Sequence, residues 1–352
     1  MPENFSSTLF QWYAIHKREL PWREESNPYR IWISEIILQQ TRVAQGWNYY
    51  ERFIKRFPDI QSIYESGEQE VLKYWQGLGY YTRARNIYAG AVYIMEKHEG
   101  RFPQTYDDIL KIKGVGEYTA AAIASFAFQL PYPVIDGNVL RVISRIFGVY
   151  EPIDSSSGKK KITTIINELI NKKQPGTFNQ AMMDFGATLC TSLKPECELC
   201  CFSPICYAKL HYEQHTLPIK KTKIQTKNRY FNYLVIHEGK SLYIQKRNTN
   251  DIWKGLFEFP LWETPSPLPT EEIYSHPYLS SLFGKTSWII MNISTIYKHV
   301  LSHQIIYTQF IHIQIKKPIH LFGYIRINAN EIGNYPVSRL MERYIETNNL
   351  NI

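Results

Sequence analysis

Long apolar runs and dispersed cysteines are both missing from this chain of 352 residues. No stretch is apolar over enough residues to cross a bilayer, so we expect no membrane partner. The N-terminal residues lack the basic stretch and apolar core of a signal peptide, and we therefore expect a cytoplasmic protein. The five cysteines all lie within positions 190–206. A disulfide framework is unusual in a long cytoplasmic chain with no other cysteines, and we do not expect one.

An excess of basic charge is also missing from the first part of the chain. Residues 1–208 carry 23 basic and 22 acidic side chains, so net charge gives no argument for nucleic-acid binding there. The formal net charge of +8 is concentrated further on, where the segment 209–229 has six basic residues and one acidic residue. A basic segment of this kind can follow a nucleic-acid backbone. A solvated tether between domains explains it equally well.

A glycine-rich turn between two predicted helices is the first candidate binding site. Gly114 and Gly116 are expected to allow a tight turn with positive φ before the helix that carries Tyr118. The backbone N–H groups at the start of that helix would be free to bind an anion. The pattern is typical of a helix-hairpin-helix that grips one DNA phosphate. An ordinary helical hairpin with glycine at its bend is the alternative.

Two carboxylates are the candidate catalytic groups. Glu35 lies in the middle of an apolar helix predicted over residues 30–44, and Asp136 is predicted to cap the start of a later helix. Burial would raise the pKa of Glu35 and let it donate a proton. A buried glutamate paired with a basic group, and a routine helix cap, are the structural alternatives. Together the two carboxylates fit the two roles needed to cleave a glycosidic bond.

Four cysteines form the candidate metal site. Their spacing is C-x6-C-x2-C-x5-C, from Cys190 through Cys197 and Cys200 to Cys206. Four thiolates can hold a [4Fe–4S] cluster. Zinc is the main rival, although zinc ribbons usually have two C-x2-C pairs and only one is present here. The fifth cysteine, Cys201, is not assigned as a ligand.

The Gly-Val-Gly turn before Tyr118 and the later Val-Ile-Asp-Gly-Asn segment together resemble the helix-hairpin-helix DNA glycosylase superfamily. The resemblance is closest to its adenine DNA glycosylase family, that of MutY, whose cluster spacing the four cysteines match. It covers almost the whole chain. It implies hydrolysis of the N-glycosidic bond of adenine mispaired with 8-oxoguanine or guanine in double-stranded DNA, after the nucleotide is flipped out of the stack. It further implies one [4Fe–4S] cluster, a monomer and, in a bacterium, association with the nucleoid.

The same resemblance implies roles at the catalytic residues. Glu35 would protonate the adenine ring and later activate water, while Asp136 would stabilise the oxocarbenium-like sugar or its covalent adduct. Tyr118 and Asn138 would support Asp136.

It also implies DNA contacts elsewhere. Gln40 would wedge into the duplex, and Tyr80 would insert beside the base opposite the target. Ser302 and His303 fall in the loop with which the family inspects 8-oxoguanine, where Leu301 replaces the family's phenylalanine.

The expected fold is an all-α helix-hairpin-helix glycosylase region followed by a Nudix-like α+β domain. We assign residues 1–208 to the first region, with the cluster loop at 190–206. Residues 209–229 form the basic linker. Residues 230–352 form the second domain, which contains short β-branched and aromatic runs and a Trp253–Pro260 segment similar to the family's.

Two other functions are open. An endonuclease III-like glycosylase with lyase activity needs an amine nucleophile. By resemblance that lysine would stand at position 118, where this chain has tyrosine. A non-catalytic iron–sulfur DNA-binding protein would need no carboxylate pair, and Glu35 with Asp136 argues against it.

Overall fold

The structure is a computed structural model that describes residues 4–23, 25–221, 226–348 and 350. The chain divides into two compact units. The first combines Met1–Glu65 with Asn86–Lys223, and the second combines Ser66–Arg85 with Ile224–Ile352. The sequence-based boundaries at 208 and 230 stay a prediction, but they did not anticipate that residues 66–85 group with the C-terminal part.

Twelve α-helices precede the first strand among the described residues. They are α1 (Phe5–His16), α2 (Pro28–Leu38), α3 (Val43–Arg56), α4 (Ile60–Ser66), α5 (Glu68–Trp75), α6 (Thr82–His98), α7 (Tyr106–Leu110), α8 (Glu117–Phe128), α9 (Gly137–Phe147), α10 (Ser156–Leu169), α11 (Pro175–Thr188) and α12 (Tyr207–Leu210). None of the helices described is long and apolar enough to cross a membrane.

The start and end of α2 place the first candidate catalytic residue. Asn27 caps the helix by accepting a hydrogen bond from the backbone nitrogen of Tyr29 over 2.9 Å, and Pro28 occupies the first turn. The helix ends at Leu38, and α3 begins at Val43 after a short connection. The single helix predicted over 30–44 was therefore wrong at its C-terminal end.

One core of the first unit joins α1 to α9 and α11. Phe5 of α1 stacks on Phe202, which lies in the cysteine loop, with ring centroids 4.4 Å apart. Trp12 of α1 packs edge-on against Phe185 of α11 at 5.0 Å. The N-terminal helix thus packs with the cysteine-bearing part of the unit.

The second unit contains a mixed sheet. Its strands are β1 (Lys227–Glu238), β2 (Ser241–Lys246), β3 (Phe257–Glu258), β4 (Leu261–Thr264), β5 (Trp288–Ile293), β6 (Tyr297–Val300), β7 (Gln304–Ile315) and β8 (Ile325–Asn328). The main strand order is β3-β2-β1-β7-β5, and β1 runs parallel to β7. Helices α13 (Thr270–Ser275), α14 (Pro277–Phe283) and α15 (Arg339–Thr347) complete the α+β unit.

Residues 66–85 are tied to the C-terminal part of this unit by side-chain hydrogen bonds. Nε2 of Gln76 donates to Oε1 of Glu342 over 2.7 Å. Nη1 of Arg85 donates to the carbonyl oxygen of Lys254 over 2.8 Å. A segment that lies between helices of the first unit in sequence therefore belongs structurally to the second.

Candidate active site

Glu35 lies in the middle of α2 and faces α8. Almost the whole circumference of α2 is buried, and Glu35 is only 6% exposed. Tyr118, in the first turn of α8, donates a hydrogen bond from its hydroxyl to Oε2 of Glu35 over 2.8 Å. This corrects the prediction that Tyr118 supports Asp136.

The pKa of Glu35 is raised to about 7, chiefly because burial removes water from its charged form. The hydrogen bond from Tyr118 and the positive charge of Arg23 oppose this rise, and the negative charge of Asp136 adds to it. Near neutral pH, Glu35 is therefore a mixture of carboxylic acid and carboxylate. Such a group can donate a proton in one step and accept a proton in a later one.

Asp136 caps the start of α9, as the sequence predicted. Its Oδ1 accepts a hydrogen bond from the backbone nitrogen of Val139 over 2.7 Å. Its Oδ2 accepts one from Nδ2 of Asn138, also over 2.7 Å. Burial raises the pKa of Asp136, while both hydrogen bonds favour the carboxylate and oppose that rise. Asn138 thus supports Asp136 directly.

One cavity of about 280 Å³ is lined by all four of these side chains, Glu35, Tyr118, Asp136 and Asn138. Three arginines also line it. Its volume is slightly below the range of about 300–1,000 Å³ that is usual for drug-sized ligands. A single nucleobase is smaller than such ligands. The cavity therefore brings two carboxylates and a phenol together around a space suited to one flipped base.

Arg141 of α9 connects this site to the cysteine loop. Its Nη2 donates to Oδ1 of Asn138 over 2.9 Å and to the carbonyl oxygen of Gly186 over 2.8 Å. Its Nε donates to the carbonyl oxygen of Cys190 over 2.9 Å. Gly186 has no room for a side chain, because a Cβ there would lie 2.6 Å from Cβ of Asn138. The residue that supports Asp136 is therefore itself held by α11 and by the cysteine loop.

The four predicted cysteine ligands line one common cavity. They are Cys190, Cys197, Cys200 and Cys206. Cys201 is not among the residues that line this cavity. Among the described residues, no group of three or more histidine, cysteine or acidic side chains is close enough to hold a metal ion.

The surroundings of this cavity suit an anionic metal–thiolate group. Nη1 of the buried Arg145 donates to Sγ of Cys190 over 3.4 Å and to the carbonyl oxygen of Thr191 over 2.7 Å. Gln214 also lines the cavity, and its buried Oε1 has no partner among the described residues. Burial raises the pKa of Cys200 to about 12, so a bound cation is needed to keep this thiol ionised at neutral pH.

The predicted glycine turn connects α7 to α8. Gly114 has φ +81°, a conformation that favours glycine, and a Cβ there would lie 2.5 Å from Cβ of Asn86. Both the backbone conformation and the lack of space therefore require glycine at this position. Gly116 caps α8 with φ −98° and ψ 179°, which is extended backbone. The expected positive φ is therefore right for Gly114 and wrong for Gly116. No side chain caps α8, and the space beside Gly116 is open, so its first N–H groups can bind an anion.

Tyr80 and Ser302 meet in the second unit. Tyr80 has φ +49° and is 49% exposed, and its hydroxyl lies 2.5 Å from Oγ of Ser302. Ser302 and His303 are exposed in the turn between β6 and β7. Leu301 is partly buried against the core of this unit instead of standing free. Two residues predicted to contact the opposite base are thus brought together from positions far apart in sequence.

Gln40 occupies the connection between α2 and α3. It is exposed and has φ +54°, a conformation that non-glycine residues rarely adopt. Residues held in such conformations often have a functional reason. The geometry is compatible with the predicted wedge.

Family models match both units. The model for the HhH-GPD superfamily of base excision DNA repair proteins matches residues 33–172, and the NUDIX domain model matches residues 232–347. An adenine DNA glycosylase of Buchnera aphidicola subsp. Baizongia pistaciae is 37% identical over 317 residues, 89% of this chain and 87% of that protein. A second, from subsp. Acyrthosiphon pisum, is 37% identical over 257 residues, 73% of each chain. This chain belongs to the adenine DNA glycosylase family. It is a base-excision glycosylase that hydrolyses an N-glycosyl bond, as predicted.

Solved structures share the fold of part of the chain. A thermostable thymine-DNA glycosylase is 29% identical, with a TM-score of 0.54, and covers 59% of this chain and 95% of its own. A non-covalent endonuclease III–DNA complex has a TM-score of 0.51 at 22% identity and shares the fold over 59% of this chain and 94% of its own. The predicted helical glycosylase region followed by a Nudix-like domain is confirmed.

Several residues of this glycosylase site were missed in the sequence. Arg23 lines the cavity that contains both catalytic carboxylates, and Asp184 binds it from α11. Arg141 donates a hydrogen bond to Asn138, which in turn supports Asp136. Neither arginine belongs to a motif of the sequence, and Asp184 could have been noticed only as a charged residue in a mostly apolar segment.

Proposed function

We propose that this glycosylase excises adenine mispaired with 8-oxoguanine or guanine in duplex DNA. The observation that carries the proposal is Glu35, a buried carboxylate with a pKa raised to about 7, in the same cavity as Asp136. The names of the curated relatives support adenine as the excised base. The opposite base and the detailed roles below are our inference.

The reaction begins with protonation of the flipped adenine. Glu35 in its acid form donates a proton to a ring nitrogen of the base, so that the base leaves with the bonding electron pair as a neutral molecule. The N-glycosidic bond breaks, and positive charge develops on the sugar. Glu35, now a carboxylate, accepts a proton from the attacking water. The products are free adenine and an abasic site.

Asp136 stabilises the positive charge on the sugar. Its carboxylate is fixed by Val139 and Asn138 before the reaction starts, so little reorganisation is needed when the charge develops. Tyr118 keeps the carboxylate of Glu35 in one orientation through its hydrogen bond.

Hydrolysis without a lyase step follows from the residue at position 118. A lyase needs an amine that attacks the sugar. Tyr118 has a phenol instead, and this phenol is hydrogen-bonded to Glu35. Borohydride trapping should therefore give little covalent product. Efficient trapping that disappears when a lysine is replaced would favour the endonuclease III-like alternative.

Recognition of the opposite base is assigned to Tyr80, Ser302 and His303, with Gln40 as the wedge in the duplex. The joint position of Tyr80 and Ser302 supports this assignment. The N–H groups at Gly116 would hold a backbone phosphate. Double-stranded DNA containing the mispair is thus the proposed partner of a monomeric enzyme, cytoplasmic and associated with the nucleoid if bacterial.

A [4Fe–4S] cluster is the proposed cofactor, held by the four cysteines that line one cavity. When bound, the cluster ties the four thiolates of the loop to one point. Arg145 donates to the first of these sulfurs, and Arg141 binds the carbonyl oxygen of the same residue, Cys190. Their guanidinium groups keep the loop attached to α9.

The deciding experiment is single-turnover excision on matched duplexes that contain adenine opposite 8-oxoguanine, guanine or thymine. We expect excision opposite 8-oxoguanine and guanine, little opposite thymine, and none by Glu35→Gln. Excision of another base in preference to adenine, or full activity of Glu35→Gln, contradicts the proposal.

A further inference from the structure

Asp184 is a fully buried carboxylate that binds two arginines. It lies on α11 with 0% of its side chain exposed. Its Oδ1 accepts hydrogen bonds from Nε and Nη2 of Arg18 over 2.9 and 2.6 Å, and from Nη2 of Arg23. Its Oδ2 accepts from the backbone nitrogen of Arg18 over 3.2 Å. The mechanism above gives this residue no role.

Arg23 is held at both ends by the same helix. Gln180 lies one turn before Asp184 on α11, and its Nε2 donates to the carbonyl oxygen of Arg23 over 3.3 Å. Oε1 of Gln180 accepts from the hydroxyl of Tyr13 over 3.2 Å, which fixes the amide. The backbone and the guanidinium of Arg23 are thus both attached to α11.

The held guanidinium faces the catalytic cavity. Arg23 lines the cavity of about 280 Å³ that contains Glu35, and its side chain is 10% exposed. Its buried Nε has no partner among the described residues. The charged or titratable groups around this cavity are Arg18, Arg23, Glu35, Arg42, Tyr118 and Asp136.

The positive charge of Arg23 lowers the pKa of Glu35 against the effect of burial. The two arginines bound by Asp184 differ in exposure, since the side chain of Arg18 is one-third exposed and that of Arg23 is 10% exposed. Arg23 is thus the more buried of the two cations that Asp184 binds beside the cavity.

We propose that Asp184 is a positioning residue for base excision, which acts by fixing the guanidinium of Arg23 on the wall of the Glu35 cavity. The inference rests on the proposed function, because it concerns the proton that Glu35 donates. Without the carboxylate at position 184, the guanidinium loses the buried counter-charge to which it is hydrogen-bonded. It then turns toward solvent through the larger groove of about 940 Å³, which Arg23 also lines.

The expected consequence has a definite sign. A positive charge beside Glu35 favours its ionised form, so loss of that charge raises the pKa of Glu35. Excision requires the protonated form, and the rate falls as pH rises through this pKa. When Arg23 is no longer held, the alkaline limb of the rate profile moves to higher pH, by about one pH unit, the lower end of the shift that a neighbouring charge causes.

The test is single-turnover adenine excision as a function of pH on a duplex with adenine opposite 8-oxoguanine, using the full chain with its metal content intact. Asp184→Asn and Arg23→Met should each move the alkaline limb upward. The double variant should move it no further than Arg23→Met alone. Lys161→Met removes a cation paired with Glu151 on the surface, away from the cavity, and should leave the limb in place.

Three results would overturn the inference. Asp184→Asn could lower the rate equally at every pH, the double variant could move the limb further than Arg23→Met, or the limb could shift to lower pH. The last result would mean that Asp184 holds Arg23 away from Glu35. If Asp184→Asn does not fold, Asp184→Glu decides the question. It keeps the charge but moves the carboxylate by one methylene, so it should move the limb in the same direction as Arg23→Met, and an unmoved limb in Asp184→Glu rejects the role of Asp184.

Failure of this inference can be told apart from failure of the proposed function. If the unmodified chain does not excise adenine, the proposed function is wrong. If it excises adenine and Glu35→Gln does not, while Asp184→Asn keeps the unmodified pH profile, only the role of Asp184 is rejected.

Discussion

The hydroxyl of Tyr118 donates a hydrogen bond to Oε2 of Glu35 over 2.8 Å. This bond stabilises the charged form of a carboxylate that burial drives toward the neutral form. The two effects leave Glu35 with a pKa of about 7, where both protonation states are available.

Removal of this hydrogen bond should change the pH dependence of excision. In Tyr118→Phe, the carboxylate of Glu35 loses a donor, so its pKa rises further above 7. We expect the alkaline limb of the single-turnover rate to move to higher pH. Tyr150→Phe, which removes a hydroxyl bonded to Glu213, is the matched control and should leave the limb unchanged. An unmoved limb in Tyr118→Phe would show that this bond does not tune the acid.

Glu35→Gln should remove activity and add stability. Gln keeps the shape and can still accept the bond from Tyr118, but it cannot transfer the proton, so excision should stop while mismatch binding remains. The pKa of Glu35 is raised from 4.5 to about 7. Ionisation of the folded protein therefore costs about 3 kcal/mol of stability at pH above 7, which the variant avoids. The free energy of unfolding should be higher in the variant at about pH 8, and this difference should vanish below about pH 4.5. Equal stability at alkaline pH would contradict the raised pKa.

The two glycines of the hairpin should respond differently to alanine. Gly114→Ala places a Cβ against Asn86 at positive φ and should cost about 2 kcal/mol or more of stability. Gly116→Ala meets no neighbour and keeps an allowed backbone, so stability should change little. Its methyl group does occupy the space proposed for a phosphate, so DNA affinity should fall. Thermal unfolding and DNA binding, measured on both variants, separate these effects.

Replacement of two adjacent cysteines should affect the iron content of the protein differently. Cys200→Ala removes a side chain from the common cavity and should lower the iron bound per chain, whereas Cys201→Ala should not. Iron analysis and visible absorbance of anaerobically purified protein provide the measurement. One zinc and no iron in the unmodified protein would reject the cluster.

The paired hydroxyls of Tyr80 and Ser302 should affect the choice of opposite base more than the chemistry. Tyr80→Phe and Ser302→Ala should each reduce the preference for 8-oxoguanine over guanine. Because the two groups are bonded to each other, the double variant should lose less than the product of the single effects. His303→Ala tests the neighbouring position. The preference is measured as the ratio of single-turnover rates, and of affinities, on duplexes with 8-oxoguanine or guanine opposite adenine. An unchanged ratio would show that Tyr80 and Ser302 do not recognise 8-oxoguanine.

The residue types and their spacing predicted the parts of the site that local structure determines. Asp136 before Gly-Asn was predicted as a helix cap, and the cap is present. An apolar helix around Glu35 predicted burial, and burial is what raises its pKa. Helix capping and helix periodicity depend on neighbours a few positions away, so a sequence contains enough information to predict them.

The contacts between distant segments could not be predicted in the same way. Nothing near Tyr118 in sequence indicates that its hydroxyl binds Glu35, 83 positions away, instead of Asp136. Strands β6 and β8 were not predicted, because each is only four residues long. Such features depend on which surfaces meet after the chain has folded.

The discontinuous second unit limits how this enzyme can be recombined. A chimera that takes only residues after 224 from a relative would pair a foreign Nudix-like part with the native segment 66–85. The hydrogen bonds from Gln76 and Arg85 would then meet unmatched partners, and Tyr80 would face a loop selected against a different tyrosine. If Tyr80 and Ser302 read the opposite base as proposed, transfer of that preference between family members should require two inserts, one of them within the helical region. Exchange of the C-terminal gene segment alone should not transfer it.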